Sequence, residues 1–193
     1  SSTVLQGVLI EGADNGIILS ATNLNAYFQT HIKTEQKEVF RVVVEPKKII
    51  EFLQFLASGS LELEIVGPEV VISQGKTRGV FPVIVSEDFP PFPQVEGKEV
   101  ALDRDFFQEK LPLVLFSASV DDSRPALTGV YLTRTDEGAL LVSTDGFRLS
   151  LMKLKDPIEL PPIIVPADFL TTVSRTVKSE KKISVSYSEK EQV

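Results

Sequence analysis

Apolar and polar residues alternate along most of the chain, in short runs separated by turns. Residues 3–11 and 16–22 flank Asp14-Asn15-Gly16, a turn sequence typical of a β-hairpin. Further strands are predicted at residues 25–34, 39–45, 61–66, 69–74 and 78–85. Pro46 suits the first turn of a helix. The apolar residues that follow it at helical spacing are Ile49, Ile50, Leu53 and Leu56. The first half is therefore predicted to be antiparallel sheet with one helix.

The second half of the chain has the same mixture of hairpins and helices. Asp103 is predicted to cap a helix whose apolar residues are Phe106, Phe107, Leu111, Val114 and Leu115. A second helix is predicted from Pro166 to about Lys178. Strands are predicted at residues 98–102, 126–134, 138–144, 147–154 and 182–188. Hairpins and helices in this order predict an α+β fold.

A proline-rich stretch separates the two halves. The sequence Asp88-Phe89-Pro90-Pro91-Phe92-Pro93 cannot continue a β-ladder or a helix, because proline has no backbone N–H and restricts the residue before it. We interpret this stretch as a linker. The predicted domains are residues 1–95 and residues 96–193.

The two halves are related by an internal repeat. Leu5-Gln6-Gly7-Val8 matches Leu127-Thr128-Gly129-Val130, and the same offset of 122 residues continues without a gap to Thr22 and Thr144. A second block matches at an offset of 121, where Val44-Glu45-Pro46 corresponds to Val165-Pro166-Ala167. Two hairpins can share turn residues by chance, but two blocks in the same order favour a duplication.

Charge and composition narrow the function classes. The chain of 193 residues has a formal charge of -7 and no Cys, which excludes disulfides and thiolate metal sites. No apolar run reaches the length of about 18 residues that a membrane helix needs. An intracellular, cytoplasmic protein with no membrane contact is therefore expected. The acidity argues against a tightly held nucleic acid, although net charge says nothing about how charge is distributed.

Candidate chemistry is sparse. His31 lies in a predicted strand without a second metal-ligating partner, so we interpret it as a solvated or hydrogen-bonded side chain. Two pairs of carboxylates, Asp103 with Asp105 and Asp121 with Asp122, lie at a predicted helix start and in a predicted loop, where Asp is common for structural reasons. The sequence Gly75-Lys76-Thr77 resembles the end of a phosphate-binding loop but lacks the earlier glycine of that motif. We expect no catalytic residue, no metal and no cofactor. Duplicated binding or scaffold units are favoured over an enzyme.

Two stretches of sequence are similar to a known family. Leu127-Thr128-Gly129-Val130, with Ser143-Thr144-Asp145-Gly146-Phe147-Arg148-Leu149-Ser150, closely resembles the middle domain of the bacterial DNA polymerase III beta subunit, the sliding clamp. Gly75-Lys76-Thr77-Arg78, followed by Glu87-Asp88-Phe89-Pro90, resembles the end of that family's first domain. The resemblance extends, in order, over essentially the whole chain.

The resemblance implies a DNA clamp fold, with sheets outside and helices lining a central hole for duplex DNA. It implies a homodimeric ring with three similar domains per subunit, a DNA contact independent of base sequence, and no catalysis. It also implies that the polymerase III catalytic subunit and the clamp loader dock short peptides in a cleft. The chain would hold most of domain one, without its first strand and helix, and a domain two truncated at its C-terminus.

Three groups of site residues are implied by the resemblance. The domain-two wall of the peptide cleft would be Leu127, Thr144, Gly146, Phe147, Arg148 and Leu149. The DNA-facing residues would be Lys47, Lys48, Asp121, Arg124, Pro125, Ala126, Arg175 and Lys178. The dimer edge would include Val80, Phe81 and Val83. Asp121 and Pro125-Ala126 depart from the family's usual residues. The alternative function is a repeat-built protein-interaction scaffold with no role on DNA.

Overall fold

The computed structural model describes residues 3–36, 38–84, 88–177 and 181–188, in two compact units formed by residues 1–93 and 94–193. Each unit combines antiparallel sheet with short helices, which confirms the α+β prediction. Within the described residues, none of the helices is long and apolar enough to cross a membrane.

Unit 1 is built on one seven-stranded sheet in the order β3-β2-β1-β4-β7-β6-β5. Its strands are β1 Val8–Ala13, β2 Gly16–Thr22, β3 Tyr27–Lys33, β4 Phe40–Val44, β5 Glu62–Val66, β6 Glu69–Gln74 and β7 Thr77–Ile84. A 3-10 helix at Thr3–Gln6 precedes β1, and helix α1 spans Pro46–Leu53. The prediction of a strand beginning at residue 3 was therefore wrong, because the chain first makes this helical turn.

Both faces of this sheet are buried near its centre. Ile10, Val42 and Val44 form a core with Ile49 of α1 on one face. On the other face, Leu9 and Val43 form a second core that includes Phe89. The two faces follow from the alternation of side chains along β1 and β4.

Unit 2 contains a four-stranded sheet in the order β11-β10-β9-β12 and a two-stranded sheet, β13-β8. The strands are β8 Lys98–Asp103, β9 Gly129–Thr135, β10 Gly138–Thr144, β11 Leu149–Leu154, β12 Ile163–Pro166 and β13 Lys182–Tyr187. The helices are a π-helical turn at Phe106–Lys110, α2 Pro112–Leu115, a 3-10 helix at Pro125–Leu127, and α3 Ala167–Thr176.

The first helix of unit 2 differs from its prediction. Asp103 is the last residue of β8, and neither the π-helical turn nor α2 has a side-chain cap, so the predicted cap at Asp103 was wrong. The Leu111 amide donates to the Phe106 carbonyl at 2.8 Å, one residue beyond the usual α-helical partner. Pro112 follows directly, and a proline cannot donate to the preceding turn, so the chain widens before the helix resumes.

The internal repeat is confirmed by the strand registers. In unit 1, Leu9 pairs with Val43 and Thr22 pairs with Tyr27. In unit 2, the corresponding pairs are Tyr131 with Ile164 and Thr144 with Leu149. Strand β12, which the sequence patterns did not predict, is the counterpart of β4. Corresponding residues in the two units therefore occupy corresponding places on their sheets.

Candidate partner-binding surface

A tight turn joins β10 to β11 and carries most of the residues that the resemblance assigned to a peptide cleft. The Thr144 hydroxyl donates to the Arg148 carbonyl at 2.6 Å and accepts the Gly146 amide at 3.1 Å. The Asp145 Oδ1 accepts the amides of Phe147 and Arg148 at 2.9 and 3.0 Å. Gly146 has a φ of 92°, which favours glycine. The backbone of this turn is thus held by its own side chains.

Asp145 also contributes a negative charge that interacts with the backbone and with Arg148 of the turn. The backbone amides of Phe147 and Arg148 hold the pKa of the Asp145 carboxyl below its usual value, because they hydrogen-bond to its charged form. The Arg148 Nε donates to Asp145 Oδ2 at 2.9 Å and adds to the effect. The carboxylate therefore stays ionised at neutral pH and keeps the Arg148 guanidinium on the turn.

The turn presents apolar side chains to solvent. Phe147 is 96% exposed and Leu149 is 62% exposed, whereas Leu127 in its 3-10 helix is half-buried. On the same face of the sheet, Val142 pairs with Leu151 on one side and with Tyr131 on the other. Ile164 then pairs with Tyr131. We call this face, with Tyr131, Leu149, Leu151 and Ile164, the outer face of unit 2; its side chains point away from the core residues Val130, Leu132 and Leu141.

The segment that follows α2 contacts Leu127 at one end and the turn and β11 at the other. The Ser119 amide donates to the Leu127 carbonyl at 2.8 Å, and the hydroxyls of Ser117 and Ser150 are 2.7 Å apart. The Arg148 guanidinium carbon lies 5.7 Å from the centre of the exposed Phe116 ring, a distance typical of a cation–π contact. Sequence reasoning missed Phe116, because nothing in its local pattern distinguishes it from a core residue of the preceding helix.

The loop before Leu127 lies beside the same turn. Arg124 Nη1 is 3.5 Å from the position that a Cβ on Gly146 would occupy. Asp121 Oδ1 accepts the Ser123 amide at 3.0 Å, and this bond is the main cause that lowers the pKa of Asp121. Pro125 and Ala126 are exposed in the 3-10 helix. Four residues expected to face DNA are therefore grouped next to the peptide-cleft residues of unit 2.

The remaining basic residues lie on helices. Lys47 and Lys48 are exposed in the first turn of α1, and the Lys48 Nζ is 3.7 Å from Glu45 Oε2. Arg175 is exposed in the last turn of α3 and borders a cavity of about 470 Å³ together with Phe107 and Phe116. Lys178 lies outside the described residues. His31 is exposed on β3, as a solvated strand histidine should be.

The residues expected at a dimer edge differ in what they can offer. Strand β7 lies between β4 and β6. Within the described part of the chain, β4 pairs with Val83 and Ile84, and residues 77–82 have a strand neighbour on the β6 side alone. Val80 is exposed there. The backbone of Val83 is paired with Val44, and the side chain of Phe81 is buried against Phe52 with ring centres 5.6 Å apart.

Comparisons with known proteins give one family for the whole chain. The family model for the N-terminal domain of the DNA polymerase III beta subunit matches residues 1–93, and the family model for its central domain matches residues 101–193. The beta sliding clamp of Streptomyces coelicolor is 23% identical over 189 residues, which cover 96% of this chain and 50% of the relative. That of Synechocystis is 29% identical over 166 residues, covering 81% of this chain and 42% of the relative.

Solved structures show the same fold. The DNA polymerase sliding clamp of Bacillus subtilis superposes with a TM-score of 0.85 at 20% identity, covering 98% of this chain and 55% of that structure. The DNA polymerase III subunit beta of Pseudomonas aeruginosa gives 0.88 at 18% identity, covering 98% and 54%. The chain spans about half the length of the relatives it matches.

Proposed function

Since the chain belongs to the DNA polymerase III beta subunit family, we propose that it acts as part of a sliding clamp that encircles duplex DNA and tethers the replicative polymerase. The role is non-catalytic and is carried out in the cytoplasm on replicating DNA. Residues 1–95 and 96–193 serve as the first and second clamp domains. Polymerase, clamp loader and a second subunit are the partners in this proposal.

The turn between β10 and β11 is the observation that carries the proposal. Its backbone is held by Thr144 and Asp145, and it exposes Phe147 and Leu149 beside an apolar sheet face. A preorganised apolar surface binds a peptide at a smaller entropy cost than a mobile loop does. We assign Leu127, Thr144, Gly146, Phe147, Arg148 and Leu149 to this site.

Peptide binding tests the assignment. A labelled peptide from the tail of the polymerase III catalytic subunit is titrated with the chain and followed by fluorescence anisotropy. Replacing Phe147 and Leu149 by Ala together should weaken binding at least tenfold, since exposed apolar anchors carry most of such binding energy. Val66→Ala, at an exposed apolar residue of unit 1, is the control. Affinity unaffected by the double substitution, or no binding at millimolar peptide, would contradict the assignment.

The lysines of α1 support a DNA contact. Cations in the first turn of a helix oppose the helix dipole, so Lys47 and Lys48 contribute nothing favourable to the helix by their position. Phosphate attraction is independent of base sequence and permits sliding. Arg175 and Lys178 belong to the same proposed set of phosphate contacts. The other proposed DNA-facing residues lie beside the peptide site, and they contact DNA only when it runs past that site: Asp121, Arg124, Pro125 and Ala126.

Salt dependence separates this function from a scaffold without DNA. Duplex DNA should bind weakly, and measurably only at low salt. The double substitution Lys47→Glu with Lys48→Glu should make the plot of log association constant against log salt concentration less steep, by about 0.9 for each phosphate that is no longer neutralised. The control is Lys76→Glu, a charge reversal at an exposed position in the β6–β7 turn. If Lys76→Glu changes the slope as much as each of the two α1 substitutions does, the scaffold without a role on DNA is favoured.

The free side of β7 is the proposed edge for a second subunit. Among the described strands, none pairs with residues 77–82 on the side that β4 does not reach, and exposed strand edges recruit further strands. Val80 contributes its side chain, and Phe81 contributes its backbone alone.

A further inference from the structure

The proline-rich segment 88–93 is not a free linker but folds onto unit 1. Phe89 is 6% exposed and packs in the core formed with Val4, Leu9 and Val43, with Leu5 at its margin. Three residues later, the Phe92 ring lies edge-on to Tyr27, with ring centres 5.7 Å apart and an interplanar angle of 73°. The segment therefore has two apolar anchors, one deep and one shallow.

The residues under these anchors correspond to the proposed partner site of unit 2. At the repeat offset of 122, Tyr27 corresponds to Leu149 and Leu5 corresponds to Leu127. The two 3-10 helices that carry Leu5 and Leu127 both precede the first strand of their hairpins. Phe92 thus contacts the counterpart of one cleft residue, and Phe89 packs beside the counterpart of another.

Burial differs sharply between the two corresponding surfaces. Leu9 and Val43 are 3% and 0% exposed in unit 1, where Phe89 lies over them. Their counterparts on the outer face of unit 2, Tyr131 and Ile164, are 39% and 46% exposed. The pairing of the two residues is the same in both units, so the difference comes from what lies on the sheet and not from the sheet itself.

We propose that segment 88–93 is an internal ligand of unit 1: an extended segment with apolar side chains three residues apart that fills the repeat counterpart of the partner-binding surface and closes unit 1 to peptides from other proteins. The role of the open counterpart on unit 2 rests on the proposed function. The same chemistry, two apolar anchors on an extended backbone, is what unit 2 would accept from a partner.

The composition of the segment suits this role. Pro90, Pro91 and Pro93 restrict the backbone to extended conformations, so little conformational entropy is lost when the segment docks. The segment is joined to β7 by residues 85–87, and a short tether gives an effective concentration in the millimolar range. A separate peptide of the same sequence must therefore compete with a tethered copy.

Fluorine NMR can follow both surfaces in the full chain. The protein has three tyrosines, and 3-fluorotyrosine places one label at Tyr27 in unit 1, one at Tyr131 on the outer face of unit 2, and one at Tyr187 on β13 as an internal reference. Each signal is assigned with its Tyr→Phe variant. The probe is a synthetic peptide with the sequence of residues 88–93. Phe92→Ala removes the shallow anchor and leaves Phe89 in the core; Phe92→Trp keeps an aromatic ring and adds no fourth tyrosine label.

In the wild type, the peptide should shift the Tyr131 signal and leave the Tyr27 signal unchanged. In Phe92→Ala, the Tyr27 signal should move before any peptide is added. It should then respond to the peptide at a concentration at least tenfold lower than in the wild type. Phe92→Trp should respond to the peptide as the wild type does. The Tyr187 signal, which reports on unit 2, should stay in place throughout, and hydrogen exchange of peptides from β1 checks that unit 1 remains folded in the variants.

Two results would overturn the inference: a Tyr27 signal that Phe92→Ala does not move, or a Tyr27 response to peptide that is the same in wild type and variant. The Tyr131 signal reports separately on the proposed function. Its failure to respond, with the Tyr27 response as expected, would contradict peptide binding at unit 2 and support the internal ligand of unit 1.

Discussion

The turns at the ends of the two corresponding hairpins have the same hydrogen bonds but different side chains. In unit 1, the Thr22 hydroxyl accepts the Leu24 amide at 2.9 Å and donates to the Ala26 carbonyl at 2.8 Å. Asn23 Oδ1 accepts the amides of Asn25 and Ala26 at 3.1 and 2.8 Å. These bonds match those of Thr144 and Asp145 in unit 2 one for one. Turn geometry was retained after the duplication while the chemistry of its tip diverged.

The diverged positions explain what each turn can do. Leu24 has a φ of 75° where Gly146 has 92°, so unit 1 places a side chain in a strained conformation that unit 2 avoids. Asn25 stands where unit 2 has Phe147, and Ala26 stands where it has Arg148. Only the unit 2 turn therefore offers an exposed aromatic ring and a guanidinium. A shared scaffold gave two surfaces of unlike chemistry through changes at its tip.

The largest expected effect is a difference in stability loss between a substitution on the covered sheet face of unit 1 and one on the open outer face of unit 2. Phe89→Ala should destabilise unit 1 by about 3–5 kcal/mol, because it leaves a cavity over Leu9 and Val43. Tyr131→Ala on the open face of unit 2 should cost less than about 1 kcal/mol. Hydrogen exchange resolved by mass spectrometry, on peptides from β1 and β9, measures each unit separately. Equal losses in the two units would mean that Phe89 does not cover its face.

A smaller effect is expected from backbone strain at the turn tips. Gly146→Ala should destabilise unit 2 by about 1 kcal/mol, because alanine is disfavoured at a positive φ. Leu24→Ala at the corresponding position should change the stability of unit 1 by less than about 0.5 kcal/mol, since both residues bear the same strain there. Urea unfolding of the two variants gives the comparison. A larger loss at Leu24 would show that its side chain, and not the turn geometry, stabilises unit 1.

The smallest effect concerns pH. The lowered pKa of Asp145 means that the folded turn favours the carboxylate, so its contribution to stability is present above the ordinary value of 3.8 and is lost as pH falls through the lower folded-state pKa. Asn23, its counterpart, does not titrate. The protection of the Phe147 and Arg148 amides, which is the intrinsic exchange rate divided by the observed rate at the same pH, should therefore fall in acid, while the protection of the Asn25 and Ala26 amides should stay constant. Asp145→Asn should make the unit 2 turn behave like the unit 1 turn.

Local sequence patterns predicted the hairpins because their physics is local. Asn15 has a φ of 63°, as the turn between β1 and β2 requires, and the Asp14-Asn15-Gly16 sequence signals that conformation directly. The identical glycines Gly7 and Gly129 were visible in the repeat, but their reason was not. A Cβ at Gly7 would lie 2.3 Å from Val43 Cγ1, and one at Gly129 would lie 2.6 Å from Ile164 Cγ2.

Contacts between distant residues were beyond local patterns. The rule that proline cannot continue a ladder correctly kept residues 88–93 out of the strands, yet it says nothing about where Phe89 packs, and the linker interpretation was wrong for that reason. Strand β12 has four residues bounded by prolines and is stabilised by its pairing with β9. The repeat offset applied to the predicted strand 39–45 would have found it.

The peptide-site residues were inferred from a family resemblance, and the structure adds their support. Asp145 was within the recognised motif but outside the assigned set, although it orders the turn. Phe116 contacts Arg148 of the turn and Ser117 contacts Ser150 of β11, each across a separation of about thirty residues, which no spacing rule addresses. A residue can thus be essential to the shape of a site without bearing any mark of it in sequence.

The seam between β4 and β7 has a mechanical consequence for unit 1. Among the residues that the structure describes, the pairs Val43 with Ile84 and Val44 with Val83 join the two parts of the seven-stranded sheet, whereas the described ladders on either side are longer. A force directed across these described strands would therefore meet less resistance at the seam than at either neighbouring ladder. Under such a force the two described ladders would stay intact while the seam between them yields.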